Sequence, residues 1–210
     1  MRKVTSLIHA AKNNLWAAKK SLKAAAREIL KKVCPTLLYL QQYRSAAKRA
    51  FELNSYNRDK LFDEFIMSCQ KLKCLQIGVK ENIGKKFGPN WTSVDLYDMR
   101  DFIDYHYDIT NLKFADESFD AIVCHSILEH VAYPQKAIGE LYRVLKVGGR
   151  IWVQLPFSFF YHPHPKDFWR VSPDGLRIWM EDFEEIACAC HSWTRSSLTL
   201  STYFYGKKKV

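Results

Sequence analysis

The fold is decided by residues 114–127, "FADESFDAIVCHSI". An acidic turn leads directly into an apolar run, and the run ends in the cluster Cys124, His125 and Ser126. Short apolar runs bounded by turn signals are typical of strands that are buried on both faces. The stretch therefore predicts a buried strand whose far end opens into a cleft.

The flanking sequence alternates between short apolar runs and helical patterns, which predicts a parallel sheet covered by helices on both faces. Too few residues separate the last two apolar runs for a crossover helix, so these two strands must pair antiparallel. We therefore predict an α/β fold with a Rossmann-like, doubly wound, mostly parallel sheet of seven strands and a C-terminal antiparallel hairpin. The predicted strands cover residues 73–78, 91–98, a segment up to 108–109, 119–126, 150–157, 183–193 and 198–208.

The charge of the chain is unevenly distributed. The 210 residues carry a formal net charge of +10. Residues 1–60 contain 14 Lys/Arg against 3 Asp/Glu, whereas residues 61–210 contain 18 against 19. The chain is therefore expected to consist of a basic N-terminal extension, residues 1–60, and an almost neutral α/β domain, residues 61–210.

Within the extension, apolar residues recur at steps of three and four from Val4 to Val33, which predicts an amphipathic helix. Pro35 ends this helix, and residues 36–51 predict another. The favoured interpretation is a helical extension that packs on the domain or on a second copy in a homo-oligomer, with its lysines in water. The alternative is a surface that meets an anionic partner, such as lipid headgroups in peripheral contact with a membrane, nucleic acid or an acidic glycan. No nucleic-acid recognition motif is found, and no apolar run approaches the roughly 20 residues that span a bilayer.

The six cysteines form no Cys-x-x-Cys pair, and no signal peptide is recognised. Disulfide scaffolding and structural zinc are therefore not expected, and the thiols are expected to be reduced in a cytoplasmic protein.

Ligands of such sheets bind at the carboxyl ends of the strands. Gly78 would let a ligand approach the backbone, and Asp95 is positioned to accept hydrogen bonds from a ribose diol. Asp108 could accept from an exocyclic amine while Ile109 offers an apolar face to a base. Together they predict a nucleoside-bearing cofactor, although a lone aspartate after a strand is more often a helix cap or a turn former than a ligand.

Residues 108–156 resemble the class I S-adenosylmethionine-dependent methyltransferases, and within them the type 11 group. The resemblance lies in the turn "FADESFD", in "LEH" after the fourth predicted strand, and in "ELYRVLKVGG". It implies that S-adenosylmethionine is the cofactor. His130 matches the histidine of the family's "LEH", for which a packing or helix-capping role is the alternative to cofactor binding. The residues that the resemblance and the strand-end pattern assign to the cofactor are Gln76, Gly78, Asp95, Leu96, Asp108, Ile109, His125, Ser126 and His130.

One segment departs from the family pattern. Its first loop usually has an acidic residue followed by three alternating glycines, whereas Gln76, Lys80 and Asn82 occupy three of those four positions here. Glu81 could recover the carboxylate and Gly84 the tight turn. The departure leaves open whether the loop binds methionine differently or binds the cofactor weakly.

The segment after the fifth predicted strand, "PFSFFYHPHPKDFWRVSPDGL" (residues 156–176), is dense in aromatic residues. Similar family members carry a loop with a "WR-x-(S/T)-P" element that contributes to the acceptor site. Aromatic rings suit a sugar or an aromatic acceptor, and histidine suits a general base. The predicted roles are base for His162 or His164, orienting carboxylate for Asp167, and acceptor contacts for Tyr161, Trp169 and Arg170.

A structural alternative is that Asp167 and Arg170 simply pair with each other in a rigid loop. No metal site is predicted, because two histidines without a third ligand make a poor one. The predicted function is transfer of a methyl group to a small-molecule or glycan acceptor, with oxygen as the favoured acceptor atom. The alternative is a binding or scaffold protein that has kept the fold without turnover.

Overall fold

A computed structural model of the chain describes residues 18–26, 28–29, 58–78, 88–192 and 200–210. The chain divides into two compact units, residues 1–49 and 50–210. In the first unit, residues 18–26 and 28–29 are helical, and all of them are exposed to solvent. The second predicted helix of the extension, residues 36–51, lies outside the described residues, as does the altered glycine loop from residue 79 to 87.

In the second unit, three α-helices and six strands are described. The helices are α1 (Arg58–Ser68), α2 (Pro134–Val144) and α3 (Pro173–Trp179). The strands are β1 (Cys74–Ile77), β2 (Trp91–Val94), β3 (Phe119–His125), β4 (Leu145–Ser158), β5 (Phe183–Ser192) and β6 (Leu200–Lys208).

The strands form one sheet in the order β2-β1-β3-β4-β6-β5. Strand β1 pairs parallel with β2 and β3, and β3 pairs parallel with β4. Strand β6 pairs antiparallel with both β4 and β5. This order confirms the doubly wound sheet with an antiparallel C-terminal hairpin. The strand order switches from one side of β1 to the other between β1 and β3, and sheets of this kind bind ligands at that switch point.

The predicted number of strands was wrong, because the described residues form six strands instead of seven. The segment expected as a strand before Asp108 makes only an isolated parallel bridge, between Val94 and Tyr105. The carboxylate of Asp104 takes the place of a ladder partner, since its Oδ2 accepts from the Ser93 backbone N–H at 2.7 Å and from the Ser93 hydroxyl at 2.8 Å. A side chain that binds the backbone in this way interrupts strand pairing.

Two layers of side chains cover the sheet. On one face, α2 buries Ala137, Ile138, Leu141 and Val144. On the other, Phe65 of α1 packs near Trp152, whose ring stacks on Tyr203 at 5.1 Å between centroids. Both faces of the central strands are therefore apolar, which explains the continuous apolar run of β3.

The acidic turn that precedes β3 is fastened to α2. Arg143 donates to the Asp116 carboxylate at 2.7 Å and to the Phe114 carbonyl at 2.8 Å. Glu140 accepts from Arg143 and from the backbone N–H of Leu112 at 2.8 Å. The turn thus fixes where β3 enters the sheet, and with it the position of the polar cluster at its far end.

Candidate functional site

The register of the parallel strands aligns one row of residues at the carboxyl edge of the sheet. Ile77 pairs with both Val94 and Cys124, so Gly78, Asp95 and His125 each follow at the same level. Gln154 of β4 lies opposite His125. The strand ends that the sequence assigned to the cofactor therefore meet along one edge.

Gly78 has a φ of +78°, and its N–H donates to the Val94 carbonyl at 3.2 Å. A Cβ at this position would overlap Cγ1 of Ile127 and lie 2.5 Å from the His125 carbonyl oxygen. Glycine is thus required by close packing as well as by backbone conformation. The neighbouring Gln76 is buried, and its amide donates to the Gly78 carbonyl at 3.4 Å.

Asp95 is partly buried and Leu96, which follows it, is exposed. Oδ1 of Asp95 accepts from the backbone N–H groups of Tyr97 at 2.9 Å and Asp98 at 3.0 Å. Within the part of the chain that the structure describes, Oδ2 has no hydrogen-bond donor. One oxygen therefore shapes the turn after β2 while the other retains its capacity to accept.

Asp108 is exposed, and its Oδ1 accepts from the Thr110 backbone N–H and hydroxyl, both at 2.8 Å. Ile109 is buried among the core side chains. This aspartate therefore shapes a turn with one oxygen, as Asp95 does, and Ile109 anchors that turn to the core.

His125 and Ser126 lead the chain out of the sheet. Ser126 has a φ of +53°, and its N–H donates to the Gln154 carbonyl at 2.8 Å, while its hydroxyl lies 3.3 Å from Nδ1 of His125. A single 3-10 turn, Leu128–His130, follows. Nδ1 of His130 donates to the Lys166 carbonyl at 2.6 Å, which ties this turn to the aromatic loop, here residues 157–170.

Arg170 and Asp167 hold the aromatic loop together. Arg170 donates to both carboxylate oxygens of Asp167, at 2.6 and 2.7 Å. It also donates to the carbonyls of Phe159, Phe160 and Trp169. The Arg170 guanidinium holds the pKa of the Asp167 carboxyl well below its usual range. Asp167 and Arg170 therefore pair with each other, as the structural alternative in the sequence analysis proposed.

His162 and His164 have different surroundings although both lie in this loop. Oδ2 of Asp167 accepts from the His162 backbone N–H at 2.7 Å and lies 3.3 Å from its ring Nδ1. His164 is exposed, and its ring lies 6.2 Å from that of Tyr97. The structure therefore brings Asp167 to His162.

Two of the three predicted acceptor residues, Tyr161 and Trp169, lie on the outside of the loop, whereas Arg170 binds within it. Tyr161 is 69% exposed. Trp169 is 38% exposed, donates from Nε1 to the Val131 carbonyl at 2.9 Å and packs edge-to-face on Trp179. These rings offer apolar surface next to the histidines.

The sequence analysis missed Glu129, which is completely buried between the 3-10 turn and the aromatic loop. Its backbone carbonyl accepts from the N–H of Phe168 at 2.7 Å. Burial raises the pKa of its carboxyl to about 8, against the opposing attraction of Arg170. A usable signal was present, since a carboxylate inside the apolar run "SILEHVA" requires an explanation.

Comparisons with known proteins identify a matching family model, related sequences and similar folds. Residues 90–153 match a family model described as "Methyltransferase domain". A demethylmenaquinone methyltransferase of Renibacterium salmoninarum is 45% identical over 98 residues, which cover 47% of this chain and 36% of the relative. The matches to the curated relatives span between 19% and 36% of those proteins' own length.

Two solved structures have similar folds. A 1,6-didemethyltoxoflavin-N1-methyltransferase of Burkholderia thailandensis, solved with S-adenosylhomocysteine, has a TM-score of 0.54 at 14% identity, covering 79% of this chain and 89% of that one. The [4+2]-cyclase SpnF has a TM-score of 0.53 at 15% identity, covering 66% and 75%.

The described part of the second unit therefore has the fold of the class I S-adenosylmethionine-dependent methyltransferases, a class that uses this cofactor as methyl donor. Within this fold, residues 90–153 are the part of the chain that matches the methyltransferase-domain family model.

Proposed function

We propose that the chain is an S-adenosylmethionine-dependent methyltransferase that acts on a small-molecule or glycan acceptor. The observation that carries the proposal is the aligned row Gly78, Asp95, His125 and Gln154 at the carboxyl edge of a sheet in which residues 90–153 match a methyltransferase-domain model. The aromatic loop follows β4 at the same edge, so donor and acceptor would meet there.

In this proposal the donor lies along the strand ends. Oδ2 of Asp95 accepts from the ribose diol, and Asp108 and Ile109 bind the adenine. The other predicted cofactor contacts line the same crevice: Gln76, Gly78, Leu96, His125, Ser126 and His130.

The transfer itself is a displacement at the sulfonium methyl group. The acceptor oxygen forms a bond to the methyl carbon while the carbon–sulfur bond breaks. The electron pair of that bond stays on the sulfur, so the product S-adenosylhomocysteine is a neutral thioether. The hydroxyl proton passes to His162, whose ring Asp167 orients. His164 lacks a comparable carboxylate in the described structure, so it is the weaker candidate base, and Arg170 contributes by holding the loop.

The test is calorimetric titration of the chain with S-adenosylhomocysteine. We predict that Asp95→Asn weakens binding about 10- to 100-fold, because an Asn oxygen preserves the turn while the second acceptor is lost. Asp98→Asn is the matched control and should bind like the native chain. If Asp95→Asn also binds like the native chain, the assigned role of Asp95 is wrong.

A native chain that fails to bind S-adenosylhomocysteine at millimolar concentration would favour the alternative of a binding or scaffold protein. That alternative has some structural support, since the amide of Gln76 occupies the position where the family has a carboxylate. SpnF, named for a cyclase activity, also has this fold, so the fold alone does not decide the chemistry.

We also propose that the basic extension contacts an anionic membrane surface from the cytoplasmic side. Its described helix exposes Leu22 and Ile29 beside Lys19, Lys20 and Lys23. No helix in the described ranges is long and apolar enough to cross a bilayer. A second copy bound through the same helix is the competing outcome.

A further inference from the structure

Glu129, His130 and His162 form a cluster, and the reaction proposed above uses the two histidines but gives Glu129 no role. Nε2 of His130 lies 3.8 Å from Oε1 of Glu129, and Nε2 of His162 lies 3.9 Å from the same oxygen. The three potential ligand atoms all lie within 4.8 Å of one another. The cluster combines residues of the 3-10 turn and the aromatic loop, which are more than 30 positions apart in the sequence.

The Glu129 carboxylate is an unusual group to bury. Its exposure is 0%, and neither oxygen has a hydrogen-bond partner among the described residues. Leaving a buried carboxylate unsatisfied is costly, so such groups are normally neutralised, paired or bound to a metal. The nearby cation Arg170 directs its hydrogen bonds to Asp167 and to loop carbonyls instead.

His130 points an unprotonated nitrogen at this carboxylate, and His162 does so in one of its two neutral tautomers. Nδ1 of His130 must donate to the Lys166 carbonyl at 2.6 Å, which leaves the lone pair on Nε2. Nδ1 of His162 lies 3.0 Å from the Phe160 carbonyl and 3.3 Å from Asp167 Oδ2. These two acceptors favour a proton on that nitrogen as well, although Arg170 Nη2 also lies 3.1 Å from it.

We propose that Glu129, His130 and His162 bind a divalent first-row transition metal ion, for which Zn²⁺ is the simplest candidate. Two imidazoles and one carboxylate with an open position are a known ligand set for such ions. Tetrahedral Zn²⁺ with bonds of about 2.0–2.1 Å places its ligand atoms about 3.3 Å apart. The two measured separations, 3.8 and 3.9 Å, therefore need to contract by about half an ångström.

The surroundings suit a metal site in two further ways. Each histidine is oriented through Nδ1 by a backbone carbonyl, as metal-bound histidines usually are. Nitrogen-rich ligand sets favour Zn²⁺ and its neighbours over Mg²⁺ and Ca²⁺, which prefer oxygen. The sequence analysis considered only His162 and His164 as ligands; the cluster instead joins His162 to His130 and Glu129, which gives three ligands.

Three protein ligands leave at least one coordination position for water or for an acceptor oxygen. This role rests on the proposed function. In it, a bound ion would lower the pKa of the acceptor hydroxyl, the hydroxyl proton would pass to solvent water, and His162 would serve as a ligand instead of receiving that proton. Metal binding itself requires neither donor nor acceptor, so it can be tested independently.

The experiment is titration calorimetry of ZnCl₂ into the tag-free, metal-free chain. We expect one tight site per chain in the native protein and a loss of affinity of about 100-fold or more in Glu129→Gln and His162→Ala, since even outer-shell changes cost 10- to 100-fold. His164→Ala is the matched control, because His164 belongs to the same loop but lies outside the cluster, and it should bind Zn²⁺ like the native chain.

Thermal unfolding separates loss of the site from loss of the fold. Zn²⁺ should raise the Tm of the native chain by several degrees and leave that of Glu129→Gln unchanged. Without metal, Glu129→Gln should be at least as stable as the native chain, because it removes a buried carboxylate. Native-like Zn²⁺ affinity in Glu129→Gln and His162→Ala, or equal loss in His164→Ala, would overturn the proposal.

Titration with S-adenosylhomocysteine in the presence of EDTA keeps the two proposals apart. Donor binding that survives EDTA while methyl transfer stops would support both. Absence of donor binding would contradict the proposed function. The metal site would then be tested by the zinc titration alone.

Discussion

At the scale of single residues, Gly78 shows why the carboxyl edge tolerates so little change. Its left-handed φ disfavours any side chain, and the space for a Cβ is already occupied by Ile127 and the His125 carbonyl. The sequence analysis expected glycine here for the benefit of a ligand. The structure adds a second reason, which is the packing of the end of β1 against the end of β3.

We predict that Gly78→Ala lowers the free energy of unfolding by about 2–4 kcal/mol, through backbone strain and overlap together. Urea denaturation followed by circular dichroism measures the change. The matched control is Gly139→Ala in α2, where a Cβ meets nothing within 4 Å and the helix should gain about 0.5–1 kcal/mol. Equal stability of Gly78→Ala and the native chain would show that the edge can rearrange.

Residue positions next to strand ends could be predicted from the sequence, but partners distant in the sequence could not. Asp95 follows an apolar run directly, so its place at the edge depends only on local pattern. The environment of Glu129 depends on a loop that returns to it, and the His130 contact with Lys166 spans 36 positions. No periodicity in "LEH" encodes that contact.

At the scale of elements, a predicted strand agrees with the structure where the burial of apolar side chains alone determines the conformation. Strand β3 matches its prediction closely because both of its faces are buried. The segment before Asp108 failed as a strand because the Asp104 carboxylate competes for the Ser93 backbone. Hydrophobic pattern does not report such side-chain competition.

The aromatic loop has little regular structure, so its geometry depends on Arg170. We predict that Arg170→Lys destabilises the native protein by about 1–3 kcal/mol, because lysine cannot make the paired bonds to Asp167 and also reach the loop carbonyls. Thermal unfolding measures the loss, and hydrogen exchange should show weaker protection in residues 157–170.

Arg100→Lys is the control for this substitution, since Arg100 pairs with Asp98 at an exposed position and should change stability little. If the two substitutions have the same effect, Arg170 does not hold the loop. If Arg170→Lys leaves stability intact but weakens acceptor binding, the original prediction of an anchoring role would be the better account.

At the scale of the whole molecule, the uneven charge separates two tasks. The α/β domain is almost neutral, whereas the first 60 residues carry all of the excess positive charge. An anionic membrane attracts basic segments by about 1 kcal/mol for each lysine or arginine near its surface. The described helix, with its lysines beside exposed Leu22 and Ile29, has the composition of a surface-binding helix.

We predict that the full chain co-sediments with vesicles containing anionic lipid and does not co-sediment with purely zwitterionic vesicles. Raising salt to about 0.5 M should release most of it, because exposed charges are then screened. Replacing Lys19, Lys20 and Lys23 by glutamine should weaken binding by up to about 100-fold on the same scale. Replacing Lys207 and Lys209, near the C-terminus, by glutamine is the control. It tests whether loss of positive charge anywhere in the chain weakens vesicle binding, and we expect little effect. Binding that ignores both salt and these lysines would contradict the electrostatic account, and a concentration-dependent dimer without vesicle binding would assign the helix to a second copy.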